Sequence, residues 1–279
     1  MISANLLTCS RRREFTSATR RSSRSSPLPS MSLRATIRIP LAFRVSPAAS
    51  APTPARILST TVAPRTVVAL GGNALVRPGE EGTPAQQAAR AREAAKHLAA
   101  FPSMTQLVVT HGNGPQVGEI LLRSDLTADK FPATPIDLAV AATQGQIGAM
   151  LQHALADALR RPATTVCTTV VVSASDPDFQ NPTKYVGRFY DAEEAKAQEA
   201  ALGWVMKEDP GRGWRRVVPS PKPSEIVEVE SVRALASSGV VVVACGGGGV
   251  PAVQAEDGRL TPVEAVVDKD LSSALLARA

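Results

Sequence analysis

From Thr66 onward, short runs of β-branched residues alternate with longer helical stretches. Four of these runs lack polar alternation: Thr66–Leu70, Gln106–Thr110, Thr165–Val172 and Val240–Cys245. Unbroken apolar runs of this kind are typical of strands that are buried on both faces of a parallel sheet. Their alternation with helices predicts an α/β fold with a mostly parallel sheet and crossover helices.

Helix signals lie between these runs. Thr83 followed by Pro84 is an N-cap residue followed by proline at the first helical position, which predicts a helix that ends near Ala100. Further helices are predicted over about residues 137–159, 191–202 and 271–277. In the first of these, Gly145 and Gly148 lie on the apolar side and are expected to permit close packing.

Prolines interrupt the polar stretch from Ser175 to Pro223. They stand at positions 177, 182, 210, 219, 221 and 223. Because proline lacks the N–H that a sheet ladder needs, this stretch has too many breakers for a sheet core. We predict an excursion from the main sheet over about residues 175–223, which forms a small lid-like subdomain.

Charge is divided unevenly along the chain. Residues 1–65 hold 11 Arg and one acid, Glu14, a net charge of +10, and residues 66–279 hold 20 basic and 24 acidic residues, a net charge of −4. The first segment also carries 12 Ser and 7 Thr. An Arg-rich, Ser-rich and acid-poor leader is typical of a transit peptide, which predicts import into a mitochondrion or plastid. The alternative is a disordered basic arm on a cytoplasmic protein, which touches nucleic acid or an acidic partner.

Composition excludes several classes of protein. Three cysteines, Cys9, Cys167 and Cys245, are an odd number spread over a long chain, a pattern of reducing compartments rather than of disulfide scaffolds. The histidines and cysteines show no spacing for a metal site. No window approaches the roughly 18 apolar residues of a membrane-spanning helix, and aromatic residues, 4% of the chain, are too few for base stacking. We therefore expect small-molecule substrates, no nucleic acid and no membrane partner.

Candidate chemistry begins at two glycine loops. The first predicted strand is followed by Gly71-Gly72-Asn73, and the second by His111 and then Gly112-Asn113-Gly114. Because the carboxyl ends of parallel strands share one edge, backbone N–H groups, asparagine amides and a helix N-terminus can bind an anion there. The alternative is that the glycines only satisfy turn geometry. No carboxylate or cysteine partner is evident near His111, which favours a structural histidine over a general base.

Four consecutive glycines, Gly246, Gly247, Gly248 and Gly249, follow the last of the four strands. Four in a row carry an entropic cost that a plain turn does not need, which favours a ligand-binding loop. The spacing also fits a dinucleotide-binding pattern, but that pattern requires a helix directly after the glycines. Pro251 leaves too little room for one, so we reject dinucleotide binding.

Lysine is scarce in the chain, and two lysines stand near these loops. Lys269 lies between two acids, in Asp268-Lys269-Asp270, directly before a predicted helix. Flanking acids position a lysine and favour its charged form, which suits contact with a phosphoryl group. Lys184 lies in the lid-like excursion, from where it could swing over the anion site. The alternatives are an ordinary turn with Asp270 as N-cap, and a surface lysine at Lys184.

Ordered motifs cover almost all of residues 66–279: Val67–Leu75, Thr110–Gly118, Thr143–Gly148, Asn181–Lys184, Lys207–Arg215, Val218–Pro223, Cys245–Pro251 and Val267–Leu271. Together they resemble the carbamate kinases, a branch of the amino acid kinase family. The resemblance implies a three-layer α/β/α sandwich around a mostly parallel sheet, a small protruding subdomain and a homodimer. It also implies reversible phosphoryl transfer between ATP and carbamate, giving ADP and carbamoyl phosphate, with Mg²⁺, as in arginine metabolism.

The resemblance also implies roles for the candidate residues. The three glycine loops would hold the substrate and its phosphoryl group. Lys184 and Lys269 would contact the transferred phosphoryl group, and Asp270 would orient both lysines.

The chain departs from the family pattern in two places. Tyr185 and Arg188 stand where the family usually has prolines, which predicts a less rigid lid. Ala279 stands before the strands and loops that grip the nucleotide, so we expect a kinase domain over residues 66–279 whose nucleotide-binding C-terminal part is incomplete. Two alternatives stay open. One is a non-catalytic truncated paralogue or incomplete gene model that binds the anion but not ATP, and the other is an amino acid kinase that acts on another carboxylate such as acetylglutamate.

Overall fold

A computed structural model describes residues 65–71, 74–77, 79–101 and 104–279 of the chain. The predicted leader, apart from Arg65, lies outside the described residues, and so do Gly72 and Asn73 of the first glycine loop. Organelle import and the roles of Gly72 and Asn73 in substrate binding therefore stay predictions.

The described residues form strands and α-helices in alternation. The strands are β1 (Arg65–Leu70), β2 (Gln106–His111), β3 (Ala163–Thr165), β4 (Thr169–Val172), β5 (Lys184–Tyr190), β6 (Val205–Asp209), β7 (Gly213–Val218), β8 (Pro223–Ile226), β9 (Val241–Val243), β10 (Val250–Gln254) and β11 (Leu260–Pro262). The helices are α1 (Pro84–Ala99), α2 (Gly114–Leu126), α3 (Ile136–Leu159), α4 (Ala192–Leu202), α5 (Val229–Ser237) and α6 (Lys269–Arg278). Within the described ranges, none of these helices is both long and apolar enough to cross a bilayer.

The strands form three sheets. Sheet A is parallel, with the strand order β1-β2-β9-β3. Sheet B has the order β11-β10-β4-β8, in which β10 and β4 run parallel and the other pairs are antiparallel. Sheet C is antiparallel, with the order β5-β7-β6. The sequence pattern predicts sheet A but not the antiparallel strands of sheets B and C.

Helices cover both faces of sheet A. On one face, α1 and α3 pack against the sheet in a cluster that includes Leu107, Val109 and Leu151. On the other face, α5 and α6 pack in a cluster that includes Val108 and Val242. Successive residues of β2 therefore point into opposite helical layers, as the period of a strand requires. This arrangement confirms the α/β fold and its three-layer α/β/α sandwich.

The observed helices confirm most of the helix predictions. α1 begins after Thr83, and Thr83 and Gln86 form a reciprocal capping box, which fixes the start of the helix. The predicted helices over residues 137–159 and 191–202 are α3 and α4, and the last one is α6, which begins two residues earlier than expected. α2 and α5 were not predicted. α2 begins inside a glycine loop, and α5 has only nine residues.

Two strand predictions are wrong. The run Thr165–Val172 is not one strand, because the chain passes from sheet A to sheet B between the end of β3 and the start of β4. β1 is only half-buried rather than buried on both faces, since it lies at the end of the strand order in sheet A.

Sheet C and α4 lie within the stretch that the prolines mark as an excursion. They share a small apolar cluster of Tyr190, Ala195 and Met206. Tyr185 and Arg188, the two residues at which the chain departs from the family pattern, both make contacts within sheet C. The Tyr185 hydroxyl donates to the Glu208 carbonyl oxygen at 2.9 Å, and the Arg188 guanidinium lies 4.1 Å from the centroid of the Tyr190 ring.

We expect Gly148→Ala to destabilise the fold and Gly145→Ala to leave it unchanged or more stable. A Cβ on Gly148 would overlap the Thr165 side chain where α3 crosses β3, and overpacking costs about 1–3 kcal/mol. Contrary to the expectation of close packing, Gly145 is exposed, and a Cβ there meets no described atom within 4 Å apart from its chain neighbours and the backbone of its own helix. Alanine in a helix gains up to about 1 kcal/mol over glycine. Denaturant midpoints measure the difference, and equal midpoints would contradict the packing role of Gly148.

Candidate active site

The first two glycine loops meet at the carboxyl edge of sheet A. β1 and β2 pair in register up to Leu70 and His111, and the Gly112 N–H donates to the Leu70 carbonyl oxygen at 3.3 Å. Gly71 and Gly114 are exposed, and a Cβ on either would meet nothing within 4 Å among the described residues beyond its own neighbours. These two positions therefore form the open part of the edge, where a ligand can approach the backbone.

Asn113 stands at the N-cap position of α2, but its side chain bonds elsewhere. Its Nδ2 donates to Thr143 Oγ1 at 3.0 Å, and the Thr143 hydroxyl donates to the Val140 carbonyl oxygen at 2.7 Å. The Asn113 amide also lies against Gly247, where a Cβ would overlap it. Asn113 is therefore buried and links the second glycine loop to α3 and to the run of four glycines.

The run Gly246–Gly249 is buried, and each glycine has a conformational or steric reason. All but the first have positive φ values, between +63° and +93°, which disfavour a side chain. A Cβ on Gly246 would press on the His111 ring, and one on Gly248 would overlap the Val267 carbonyl oxygen. The run therefore packs beneath the edge, between the end of β2 and the residues that precede α6.

Asp268 is both the N-cap of α6 and the partner of Lys184. Its Oδ1 accepts from the Asp270 N–H at 2.8 Å, and its Oδ2 accepts from Lys184 Nζ at 3.3 Å. Burial by itself would raise the pKa of Asp268, but the bond from the Asp270 N–H and the Lys184 charge hold that pKa below its usual value. The ionised carboxylate therefore joins β5 of the excursion to the N-terminus of α6.

Lys269 pairs with a different carboxylate. Its Nζ lies 2.5 Å from Asp270 Oδ1. The resemblance implies that Asp270 orients both lysines, whereas in the structure Asp270 contacts Lys269 and Asp268 contacts Lys184. The alternative in which Asp270 caps the helix is wrong, because Asp268 is the cap. Sequence reasoning missed the bond between Asp268 and Lys184, although an aspartate directly before a helix is a recognisable cap signal.

Two buried serines that no motif singled out hold α6 in place. Ser272 Oγ donates to the Gly248 carbonyl oxygen at 2.7 Å. Ser273 Oγ donates to the Lys269 carbonyl oxygen at 2.6 Å and lies 2.7 Å from Thr110 Oγ1 at the end of β2. The positive end of the helix dipole is thus fixed at the same edge as the lysines. The arrangement brings the N-terminus of α6 and two ammonium groups, each paired with a carboxylate, to the end of sheet A at which β2 ends.

His111 lies at this edge with one ring nitrogen unpartnered. Its Nδ1 is 2.9 Å from the Gly112 carbonyl oxygen, which assigns the proton to Nδ1, and Nε2 is buried without a hydrogen-bond partner in the part of the chain that the structure describes. Burial lowers the pKa of His111 to about 4, against the opposing effect of the Gly112 carbonyl. A neutral, enclosed imidazole agrees with a structural histidine rather than a general base.

Comparison with known protein families identifies the family to which this site belongs. The model of the amino acid kinase family matches residues 64–279. The chain belongs to the amino acid kinase family. The glycine loops, the paired lysines and the three-layer sandwich all lie within the matched residues, so the family match covers the whole candidate site.

Individual relatives in this family are similar over most of the chain. The chain is 49% identical over 221 residues to the carbamate kinase of Pyrococcus horikoshii, which covers 76% of this chain and 70% of that protein. It is 48% identical to carbamate kinase 2 of Enterococcus faecalis, over 76% of this chain and 69% of that protein. The solved structure of carbamate kinase from Giardia lamblia bound to AMP-PNP matches with a TM-score of 0.67 and 41% identity, over 76% of this chain and 69% of that chain.

We expect the free energy of unfolding to fall as the pH drops from about 6.5 towards 4, in part because of His111. The unfolded histidine binds its proton near pH 6.5, whereas the folded one does so only near its pKa of about 4. Between these values the unfolded state binds more protons than the folded state. The free energy of unfolding therefore decreases as the pH decreases, by up to about 3 kcal/mol from this residue.

Urea denaturation at about pH 7 and about pH 4.5 measures this effect. His111→Asn should show a smaller loss of stability at the lower pH than the parent chain. His97→Asn, which replaces an exposed histidine, should behave as the parent does. An unchanged pH dependence in His111→Asn would show that His111 does not have the lowered pKa.

Proposed function

We propose that this chain is a carbamate kinase, an enzyme that transfers a phosphoryl group reversibly between ATP and carbamate. The observation that carries the proposal is the placement of two lysines, Lys184 and Lys269, on separate carboxylates at the N-terminus of one helix, α6. Two ammonium groups at one helix N-terminus suit a phosphoryl group whose oxygens carry negative charge in the transition state. The names of the relatives support the same activity.

The proposed step needs alignment and charge neutralisation rather than a base. Carbamate is already an anion, so its oxygen attacks the γ-phosphorus of ATP while the bond from that phosphorus to the oxygen of departing ADP breaks. No proton has to be removed, which agrees with the neutral and enclosed His111. Lys184 and Lys269 offset the negative charge of the transferring group, and Asp270 orients Lys269.

The excursion brings Lys184 to the edge from outside the main sheet. Lys184 is the first residue of β5, and its side chain is 38% exposed, so the ammonium group is accessible to a ligand. An excursion that carries one of the phosphoryl-binding lysines over the site also helps to exclude water, which would otherwise hydrolyse labile carbamoyl phosphate.

ATP and ADP are the proposed co-substrates, and we propose that Mg²⁺ enters with them. Magnesium in phosphoryl-transfer enzymes is commonly held by substrate phosphates and keeps several of its waters. In the ranges that the structure describes, no three His, Cys, Asp or Glu side chains come together as a metal site.

We expect the full 279-residue chain to form ATP from carbamoyl phosphate and ADP in the presence of Mg²⁺. Lys269→Ala and Lys184→Ala should each lower kcat roughly 100- to 1000-fold, because each variant removes a charge that stabilises the transferring phosphoryl group. ATP formation is followed with a coupled assay.

Lys196→Ala is the matched control, since it removes an exposed lysine of α4, and it should keep the rate of the parent chain. A parent chain that is folded but forms no ATP would exclude the proposed activity for this chain. Phosphorylation of acetylglutamate instead of carbamate would assign the chain to another branch of the family.

We also propose that the chain forms a homodimer. Three large apolar side chains are exposed along one short stretch: Leu126 at the end of α2 is 73% exposed, Phe131 in the following loop 65%, and Leu138 in the first turn of α3 57%. Contiguous exposed apolar surface is typical of an interaction site, and we propose that these three side chains belong to one such surface. Each such side chain contributes about 1.5–3 kcal/mol when it is fully buried.

Sedimentation analysis should therefore give the mass of two chains. Phe131→Ser combined with Leu138→Ser should shift the mass to that of one chain, because the variant removes apolar area from the interface. Phe101→Ser is the control, since Phe101 is 64% exposed but lies outside this stretch. A parent chain that sediments as a monomer, or a double variant that stays dimeric, would contradict the proposal.

A further inference from the structure

Two neighbouring segments pass from sheet A to sheet B side by side. One is the segment from Val166 to Thr168, between β3 and β4, and the other is the segment from Ala244 to Gly249, between β9 and β10. β3 and β9 are parallel neighbours in sheet A, and β4 and β10 are parallel neighbours in sheet B. Between the sheets, the regular ladder is interrupted, so buried backbone groups need other partners.

Gln144 of α3 supplies partners at this junction. Its Nε2 donates to the Thr168 carbonyl oxygen at 3.0 Å, and its Oε1 accepts from the Thr168 N–H at 2.9 Å. Gln144 is only 1% exposed. Because an amide side chain carries both a donor and an acceptor, it bonds to both backbone groups of Thr168. The Thr168 carbonyl oxygen also accepts from the Val250 N–H of β10 at 2.9 Å.

Thr168 extends this constraint to the glycine run. Its hydroxyl donates to Gln144 Oε1 at 3.0 Å and accepts from the Cys245 N–H at 2.7 Å. Cys245 has a φ of +50° and a ψ of +37°, a left-handed conformation that residues with side chains rarely adopt. The bond from Cys245 therefore holds the backbone in an uncommon conformation directly before Gly246.

The glycine run contacts the helix that carries Lys269. The Gly248 carbonyl oxygen accepts from Ser272 of α6, and the Cα of Gly248 faces the carbonyl oxygen of Val267, next to the cap of that helix. A displaced run would therefore displace the start of α6, and Lys269 with it.

We propose that Gln144 and Thr168 are positioning residues for the proposed phosphoryl transfer. They fix the conformation of the run Gly246–Gly249 through Cys245 and do not touch the substrate. The proposal rests on the proposed function, in which the run supports the binding of carbamoyl phosphate. A loosened run is expected to weaken the binding of that substrate selectively.

Thr168→Val tests the link between Thr168 and the glycine run. It removes the hydroxyl group and changes the size of the side chain little. The variant loses two buried hydrogen bonds, one to Gln144 Oε1 and one from the Cys245 N–H. We expect the KM for carbamoyl phosphate to rise roughly 10-fold or more, and kcat to fall as well because Lys269 moves with the run. The KM for ADP should stay as in the parent chain. Thr168→Ser keeps a hydroxyl group and should restore the KM of the parent.

Gln144→Met tests the other residue of the pair. Gln146→Met is its matched control, because Gln146 is an exposed glutamine on the same helix. Hydrogen–deuterium exchange of the peptide that contains Gly246–Gly249 gives a readout that does not depend on turnover. Exchange there should be faster in Thr168→Val and Gln144→Met, and as in the parent in Thr168→Ser and Gln146→Met.

The two roles predict different kinetics. A merely structural role would lower the folded fraction, which reduces kcat and leaves both KM values unchanged. That pattern, or unchanged exchange at the glycine run, would overturn the proposal. A parent chain without turnover would overturn the proposed function instead, and exchange at the run would then decide by itself whether Gln144 and Thr168 hold it in place.

Discussion

The paired hydrogen bonds between the Gln144 amide and the Thr168 backbone are the interaction on which the site depends. A buried N–H group left without a partner costs about 1–3 kcal/mol, and Gln144 Oε1 accepts from the Thr168 N–H at the passage from β3 to β4. The Thr168 carbonyl oxygen accepts both from Gln144 Nε2 and from the Val250 N–H of β10. This allows two neighbouring segments to pass between sheets together. The run Gly246–Gly249 lies on one of them, so its glycines first serve packing and positive φ values. Among the described residues, Gly71 and Gly114 have open space at the position of a Cβ.

Charge at the N-terminus of α6 is arranged against the preference of a helix. Helix N-termini attract anions and disfavour cations, yet Lys269 stands in the first turn and Lys184 is held close to the cap. Asp268 and Asp270 offset this unfavourable placement, one carboxylate for each lysine. Local rules of this kind are commonly broken at functional sites, where other interactions compensate. The two aspartates therefore belong to the site as much as the lysines do.

Features with a local signal could be predicted from the sequence, and features that depend on distant partners could not. Thr83 and Pro84 mark the start of α1 by themselves, and the β-branched runs predict sheet A. The break within Thr165–Val172 has no local signal, because the side chain that accommodates it lies 24 residues away from Thr168. The contact between Lys184 and Asp268 joins residues 84 positions apart. For the same reason, the motifs identified both lysines but assigned them one shared carboxylate.

Asp268 gives one oxygen to the helix and the other to the excursion. When an anion draws Lys184 away, the bond from the Asp270 N–H remains, and α6 keeps its cap. A half-exposed ion pair such as this one contributes only about 0.2–1 kcal/mol, so the ammonium group changes partner at small cost in either direction. Under the proposed function, Asp268 would be the resting partner of Lys184 between turnovers, and an exchange of partners at small cost in either direction suits a reversible reaction.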